Sequence, residues 1–193
     1  MKKRIILLGV CVAAMTMTIS SCKKKHDDTT TPTPTPTLYE RVGGTTMVSD
    51  PVNKPQMIEQ GRLTLRSVVD SSINVIAADP QLQPYFTTLF AELQSNPSNT
   101  TGLTALSKNL TDFMCYATGS ANYHYTGLSM SDAHNPAKNS RISMKVDSAD
   151  FNQFVNDVGT GLAKNGVTSA NNKQLVADLV TLLYTTEGSI VQK

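Results

Sequence analysis

Cysteine is scarce in this chain, which carries only Cys11, Cys22 and Cys115. The first two fall in or beside an apolar N-terminal segment, where the pattern predicts loss of Cys11 and lipidation of Cys22. Cys115 would then stand alone, so no disulfide within one mature chain is expected. We expect the Cys115 side chain to pack as a small apolar group, because nothing in the sequence favours a reactive thiol.

An excess of charge of one sign is also missing. The sequence has 17 basic and 15 acidic residues, and loss of Lys2, Lys3 and Arg4 leaves 14 basic against 15 acidic residues, a net charge of −1. A near-neutral domain without a basic patch or a basic helix offers no electrostatic footprint for DNA or RNA. No nucleic acid is therefore expected among the partners.

Sequence signatures of common hydrolases and transferases are missing as well. The chain has no Gly-x-Ser-x-Gly, no His-Glu-x-x-His and no phosphate-binding loop. Asp132 and His134 are two positions apart, and residues at that spacing do not face each other on a helix, so they make a poor catalytic pair. No catalytic residue is therefore assigned.

Residues 1–21 are typical of an export signal. A basic start at residues 1–4 precedes an apolar run, residues 5–19, that is too short for a comfortable membrane span. Two serines stand directly before Cys22, which resembles a bacterial lipoprotein signal in which the cysteine is lipidated and becomes the first mature residue. An ordinary signal peptide cleaved nearby is the alternative.

A polar tether, residues 22–37, follows the signal. It joins three lysines and two aspartates to a run of alternating Thr and Pro. That run favours extended polyproline II, so its span from residue 29 to residue 37 is roughly 28 Å. The charged run after Cys22 resembles the surface-export signals of Bacteroidetes lipoproteins. We therefore predict a domain held to the outer membrane of the bacterial cell envelope by a lipid on Cys22. The sequence is compatible with both the periplasmic and the cell-surface face of that membrane.

Residues 38–193 form one predicted domain of the all-α class. Strand-like alternation is nearly absent, whereas apolar residues recur at spacings of three and four. The helices are predicted at residues 57–78, 81–94, 103–117, 149–164 with Asp147 as N-cap, and from the cap Ser169 to about residue 191. Between residues 121 and 145 the helical periodicity fails, and an irregular segment is expected.

Five segments of this domain stand in an informative order. They are Leu-Tyr-Glu-Arg-Val-Gly-Gly at 38–44, Asp-Pro-Gln-Leu-Gln-Pro-Tyr-Phe at 79–86, residues 113–119, residues 125–134, and the last two predicted helices. Together they resemble a group I truncated haemoglobin: its opening motif, the joint of its B and C helices, the end of its E helix, its proximal-histidine segment, and its G and H helices. The resemblance implies a truncated globin fold, a two-over-two helical sandwich that holds haem (iron protoporphyrin).

His134 is the iron ligand that this resemblance implies. Only three histidines occur, and His26 lies in the tether, which leaves His124 and His134 for a folded site. A neutral imidazole can hold haem iron, and histidine is mostly neutral at pH 7. Pro136 follows His134 closely and would end a short helix there. His124 is expected in solvent or near a haem propionate.

The same resemblance assigns the walls of the haem slot. Phe86 is expected to press on the porphyrin, and Phe113, Tyr125 and Met130 are expected to line the slot. An ordinary core role for the two phenylalanines stays open. Lys138, Arg141 and Lys145 are unranked candidates for binding the haem propionates.

The distal side departs from the family. Ile73 stands where many members have a tyrosine, and Leu110, or Asn109 if the gap moves by one, stands where they have a glutamine. Leu106 or Ala105 falls at the ligand-gating position. Tyrosine and glutamine donate hydrogen bonds that slow the escape of dioxygen, whereas isoleucine and leucine have no donor. The sequence predicts weaker retention of dioxygen, or preference for NO or CO, and an inward Asn109 would partly restore a donor.

Two segments are longer than in the family. Residues 48–66 lie between the glycine pair and the match to the B helix, and residues 87–102 lengthen the connection that precedes the E helix. We therefore expect a truncated globin with an extended B-helix region and an enlarged C–E connection.

Three functions remain open from the sequence. The first is a haem protein on a membrane tether that binds dioxygen, NO or CO, with an unassigned electron donor; NO detoxification or a peroxidase-like side reaction is compatible with it. The second is a haem-less globin-like helical domain that acts as a binding or structural module, for which the altered distal residues and the insertions are the support. The third, a conventional enzyme, lacks its motifs.

Overall fold

A 19-residue helix, α2 (Gln60–Ala78), lies at the centre of the fold. Its buried apolar residues Leu65, Val68, Val69 and Ile76 recur at helical spacing, so they share one side of the helix. Helix α2 packs against both α4 (Thr101–Ala117) and α6 (Ser148–Lys164). The core therefore forms where these three helices meet.

The computed structural model describes residues 34–193. The predicted export signal, the lipidation at Cys22 and most of the tether lie outside these residues. Thr35–Lys193 is one compact unit. None of the helices described between residues 34 and 193 combines the length and the apolar character that crossing a membrane requires.

The other α-helices between residues 34 and 193 complete two layers. They are α1 (Leu38–Arg41), α3 (Thr87–Ser95), α5 (Met130–Ala133), α7 (Ser169–Tyr184) and α8 (Glu187–Ile190). α2 with α4 forms one layer, and α6 with α7 forms the other. Phe151, Val155 and Leu162 of α6 are buried between the layers. The predicted all-α class is confirmed.

A small antiparallel hairpin precedes α2. Strand β1 (Met47–Ser49) pairs with β2 (Met57–Glu59), and Val48 lies opposite Ile58. The predicted helical start at residue 57 is wrong, because α2 begins at Gln60 and the three residues before it are extended. Three residues are too few to show a period of two, and Met57 fits the apolar spacing of the helix that follows although its side chain is exposed.

The Glu59 side chain connects this hairpin to two other parts of the fold by hydrogen bonds. Its buried carboxylate accepts hydrogen bonds from the Tyr39 hydroxyl at 2.7 Å and from the Asn122 amide at 2.6 Å. Tyr39 belongs to α1, and Asn122 belongs to the irregular segment that leads to Tyr125. A buried carboxylate is stable only with such partners.

The helix predicted at residues 81–94 is divided in two. Gln83–Phe86 forms a 3-10 helix and α3 follows from Thr87. The Asp79 side chain accepts from the backbone N–H of Gln81 at 2.6 Å, and Pro84 lacks an N–H, so a continuous α-helical hydrogen-bond ladder does not form. This division turns Tyr85 and Phe86 toward the interior.

Of the last two long helices, only the final one needs correction, at both of its ends. Asp147 is confirmed as the N-cap of α6, since its side chain accepts from the backbone N–H of Asp150 at 2.9 Å. Ser169 is the first residue of α7 rather than its cap, and Thr168 is the N-cap. The final helix does not continue to residue 191, because α7 ends at Tyr184 and α8 ends at Ile190.

Candidate functional site

An apolar cavity of about 520 Å³ opens between α2, α4, α5 and the 3-10 helix. A cavity of this size can bury most of a small-molecule ligand. All nine residues that the sequence assigns to the slot line it: Ile73, Phe86, Leu106, Asn109, Leu110, Phe113, Tyr125, Met130 and His134. The structure thus brings these residues together from four separate segments, and their individual roles toward haem stay predictions.

His134 is the side chain in this cavity best suited to bind iron. Its Nδ1–H donates to the Met130 backbone oxygen at 2.8 Å, which leaves Nε2 with a free lone pair. No group within residues 34–193 hydrogen-bonds to Nε2. Burial lowers the pKa of His134 below its ordinary value, although the bond to Met130 acts in the opposite direction. The imidazole is therefore neutral at pH 7, as metal binding requires.

Local sequence explains why His134 is held in this way. The Ser129 side chain caps α5 by accepting from the backbone N–H of Asp132 at 3.1 Å. His134 is the C-cap of this four-residue helix, directly before Asn135 and Pro136. The expectation of a short helix that ends at His134 is confirmed.

Tyr125 and Phe113 form the aromatic wall of the cavity. Their rings meet edge to face, with 5.8 Å between centroids. The Tyr125 hydroxyl donates to the backbone oxygen of Leu128 at 2.6 Å, and burial raises its pKa. Gly127 lies against this ring, where a Cβ would be 2.6 Å from the hydroxyl oxygen. The Tyr-x-Gly pattern therefore closes a tight loop beside His134.

The opposite wall comes from α2 and α4. Ile73, Leu106 and Leu110 are partly buried and offer no hydrogen-bond donor. Asn109 is exposed yet lines the cavity, and its carboxamide makes no hydrogen bond within residues 34–193. The amides on this wall are those of Asn109 and Asn74, and the Asn74 amide donates to the Asp70 backbone oxygen at 2.9 Å.

Tyr85 also lines the cavity, although no sequence motif assigns it to the slot. It is almost fully buried, and its hydroxyl donates to the Asp150 carboxylate. Burial, followed by the bond to Asp150, raises the pKa of Tyr85. Its position directly before Phe86 was the available signal, but the partner on α6 is distant in sequence.

Of the three propionate candidates, only Arg141 lines the cavity. Its Nε lies 3.4 Å from a carboxylate oxygen of Glu92, a long and partly exposed contact. Lys138 and Lys145 are exposed and lie off the cavity, as does His124. Arg141 is therefore the one of these three side chains that lies at the cavity, and its role toward a propionate stays a prediction.

Cys115 is completely buried in the core, as expected for a small apolar side chain. Burial raises the pKa of its thiol to about 11, although the guanidinium of Arg62, 3.9 Å from Sγ, acts in the opposite direction. The thiolate is the reactive form, so this cysteine is inert at neutral pH. Within residues 34–193, no three His, Cys, Asp or Glu side chains gather to hold a bare metal ion.

The residues present fit haem. An apolar slot with aromatic walls suits a porphyrin, one neutral imidazole with a free Nε2 suits the iron, and a cation at the rim suits a carboxylate. Phe86 would press on the porphyrin, His134 would hold the iron, and Arg141 would hold a propionate.

Comparison with known proteins supports the fold. No protein-family model matches the chain, and no curated protein matches it. Three solved structures of the truncated haemoglobin of Tetrahymena pyriformis do match: a tyrosine-to-phenylalanine variant (TM-score 0.54) and two glutamine-to-glutamate variants (0.53 and 0.54), each in the Fe(III) form. Each is 20% identical to this chain, and the match covers 82% of this chain and 100% of the other. The predicted truncated haemoglobin fold is therefore confirmed.

Proposed function

We propose that this protein is a haem-binding truncated haemoglobin of group I that binds a diatomic gas. The observation that carries the proposal is the geometry of His134: Nδ1 is engaged by Met130, while Nε2 is free beside an apolar cavity. A histidine whose second ring nitrogen donates to a backbone oxygen is oriented and made more basic for metal binding. The fold shared with the Tetrahymena haemoglobin supports the same function.

Haem, when bound, would supply an iron that binds small gases. The chain would supply the surroundings of that iron. Phe86, Phe113 and Tyr125 would keep water away from the porphyrin, and Arg141 would bind a propionate at the rim. His134 stays neutral because it is buried, so the proton that would block its Nε2 is disfavoured.

The distal wall would select among gases. Ile73, Leu106 and Leu110 cannot donate a hydrogen bond, so dioxygen, whose retention gains most from a donor, is disfavoured relative to CO or NO. Asn109 is the one donor on this wall of α4, and its exposure to solvent weakens any bond it makes. We expect fast release of dioxygen.

Titration with haemin tests this proposal directly. The wild-type protein should bind one haemin with a shifted Soret band. His134→Ala should lose that shift, and added imidazole should restore part of it by filling the vacated position. His124→Ala is the matched control, since His124 is exposed and lies off the cavity.

Two results would contradict the proposal. An unchanged haem spectrum in His134→Ala would remove the assigned ligand. A wild-type protein without any Soret shift would instead favour the haem-less helical module.

We further propose that Cys22 carries a lipid that holds the domain to the bacterial cell envelope. The support is the sequence alone: a short apolar run, two small residues and a cysteine, followed by a polar tether. Growth with labelled palmitate should label the wild-type chain, and Cys22→Ser should abolish the label. Equal labelling of both chains would contradict lipidation at this residue.

A further inference from the structure

The backbone carbonyl oxygens of α5 accept hydrogen bonds largely from side chains. A helix of four residues cannot satisfy its last carbonyl oxygens internally. Three side chains donate to three of these oxygens: His134 Nδ1 to Met130 at 2.8 Å, Asn139 Nδ2 to Ala133 at 2.8 Å, and Gln192 Nε2 to Ser131 at 2.7 Å. Gln192 is the only donor of the three from a distant part of the chain.

The main chain around Gln192 is itself fixed. Its backbone N–H donates to the Val146 oxygen at 2.9 Å, and Val191 forms a parallel bridge with Val146. Val146 is buried in the core just before α6. Residues 191–193, here called the strap, therefore connect α5 to the rigid part of the fold.

The next residue of the strap reaches the cavity wall. The Nζ of Lys193 lies 3.3 Å from the Tyr85 hydroxyl and 5.6 Å from the centroid of its ring. The same Nζ is 3.9 Å from the carboxylates of Asp147 and Asp150. The strap thus touches both the helix that carries His134 and the tyrosine beside Phe86.

We propose that the strap positions His134, and that Gln192 is the positioning residue. None of the four α5 residues is buried, so packing alone holds this helix weakly. By donating to Ser131 while its backbone N–H donates to Val146, Gln192 fixes α5 against the segment that precedes α6 and so fixes the direction of the His134 imidazole. This inference rests on the proposed function of His134 as the iron ligand.

Amide hydrogen exchange tests the hold on α5 without haem. In the haem-free full-length protein, Gln192→Leu should speed exchange at residues 131–135 about three- to tenfold, the effect of losing one hydrogen bond. Gln192→Lys keeps a donor and should restore slow exchange. Gln174→Leu is the matched control, because Gln174 is an exposed glutamine of α7 whose side chain donates to Asp178.

Resonance Raman spectroscopy of the reduced, haem-loaded protein tests the effect on His134. Gln192→Leu should shift or broaden the iron–imidazole stretching band, while Gln192→Lys and Gln174→Leu should keep the wild-type band. A merely structural role would lower stability without moving this band.

Wild-type exchange and an unmoved band in Gln192→Leu would overturn the proposal. A wild-type protein that takes up no haem would instead overturn the proposed function, and the exchange measurement would still decide whether the strap holds α5.

Discussion

At the scale of single residues, burial keeps the His134 imidazole neutral and also makes the haem-free protein less stable in acid. The pKa of His134 is lowered in the folded protein, mainly by burial, so the native state binds fewer protons than the unfolded chain near pH 6. Stability is therefore complete above the ordinary histidine pKa of about 6.5 and falls as pH drops below it. The neutral imidazole needed for iron and the acid sensitivity of the haem-free protein have the same origin.

We predict that His134→Gln reduces this acid sensitivity. Urea unfolding of the haem-free protein between pH 7 and pH 5 should show a smaller loss of stability in His134→Gln than in the wild type, because glutamine does not titrate. His124→Gln should keep the wild-type loss, since His124 is exposed. An identical pH dependence of the wild type and His134→Gln would contradict the assigned burial effect.

We predict that Ile73→Tyr slows the release of dioxygen. Ile73 itself has no donor, and a tyrosine there would bring a hydroxyl donor that contributes about 1.5 kcal/mol or more, which corresponds to roughly tenfold slower release. Stopped-flow dissociation of dioxygen from the reduced haem protein measures this change.

Ile73→Phe controls for the added bulk, because it has the ring without the hydroxyl. If Ile73→Phe slows release as much as Ile73→Tyr, steric closure rather than a hydrogen bond is responsible.

At the scale of elements, α2 and α6 approach each other closely at Gly161. A Cβ at Gly161 would lie 3.0 Å from the backbone nitrogen of Ser72, a buried residue of α2. Gly159, two residues earlier on α6, has nothing within 4 Å of the same position. One helix thus offers two glycines with opposite surroundings.

We predict opposite stability changes at these two glycines. Gly161→Ala should destabilise the protein by about 1–3 kcal/mol because the helices must separate, whereas Gly159→Ala should stabilise it by up to about 1 kcal/mol because alanine restricts the unfolded chain. Urea unfolding followed by circular dichroism measures both changes. Equal changes in the two variants would show that the α2–α6 contact is looser than described.

The long helices could be predicted from sequence because each repeats its apolar pattern over four turns or more. α4 and α6 were predicted to within two residues at each end. The hairpin and the 3-10 helix could not be predicted, since each has only three or four residues per element and depends on contacts far along the chain, such as that of Glu59 with Asn122.

The slot residues could be predicted because they lie in or near short motifs, and each motif consists of neighbouring residues in the sequence. Gln192 and Tyr85 gain their places from partners at Ser131 and Asp150, and such pairings leave no pattern in a single sequence. Arg141 could be named from the sequence but not ranked above Lys138 and Lys145, because only the fold brings it to the cavity.

At the scale of the whole molecule, haem should act as part of the core. The cavity of about 520 Å³ lies among residues of α2, α4 and α6, so a ligand that fills it binds the folded chain and not the unfolded one. Free haem at a thousandfold excess over its Kd would add about 4 kcal/mol to the free energy of unfolding.

We predict a rise in Tm of roughly 10 °C on haem binding for a domain of this size. Scanning calorimetry with and without haemin measures the rise, and His134→Ala should show a clearly smaller one. An equal rise in His134→Ala would indicate that the porphyrin binds without its iron ligand.

The bonds of Glu59 bear on how this protein can change over evolutionary time. A shorter ancestor without the hairpin would have had no use for a buried carboxylate that receives Tyr39 and Asn122. Deleting residues 47–59 would leave the buried Tyr39 hydroxyl unpaired, at about 1–3 kcal/mol, whereas the amide of the exposed Asn122 can bond to water. The insertion is therefore easier to gain than to lose: descendants can alter its exposed tip, but a return to the shorter chain also requires a replacement at Tyr39.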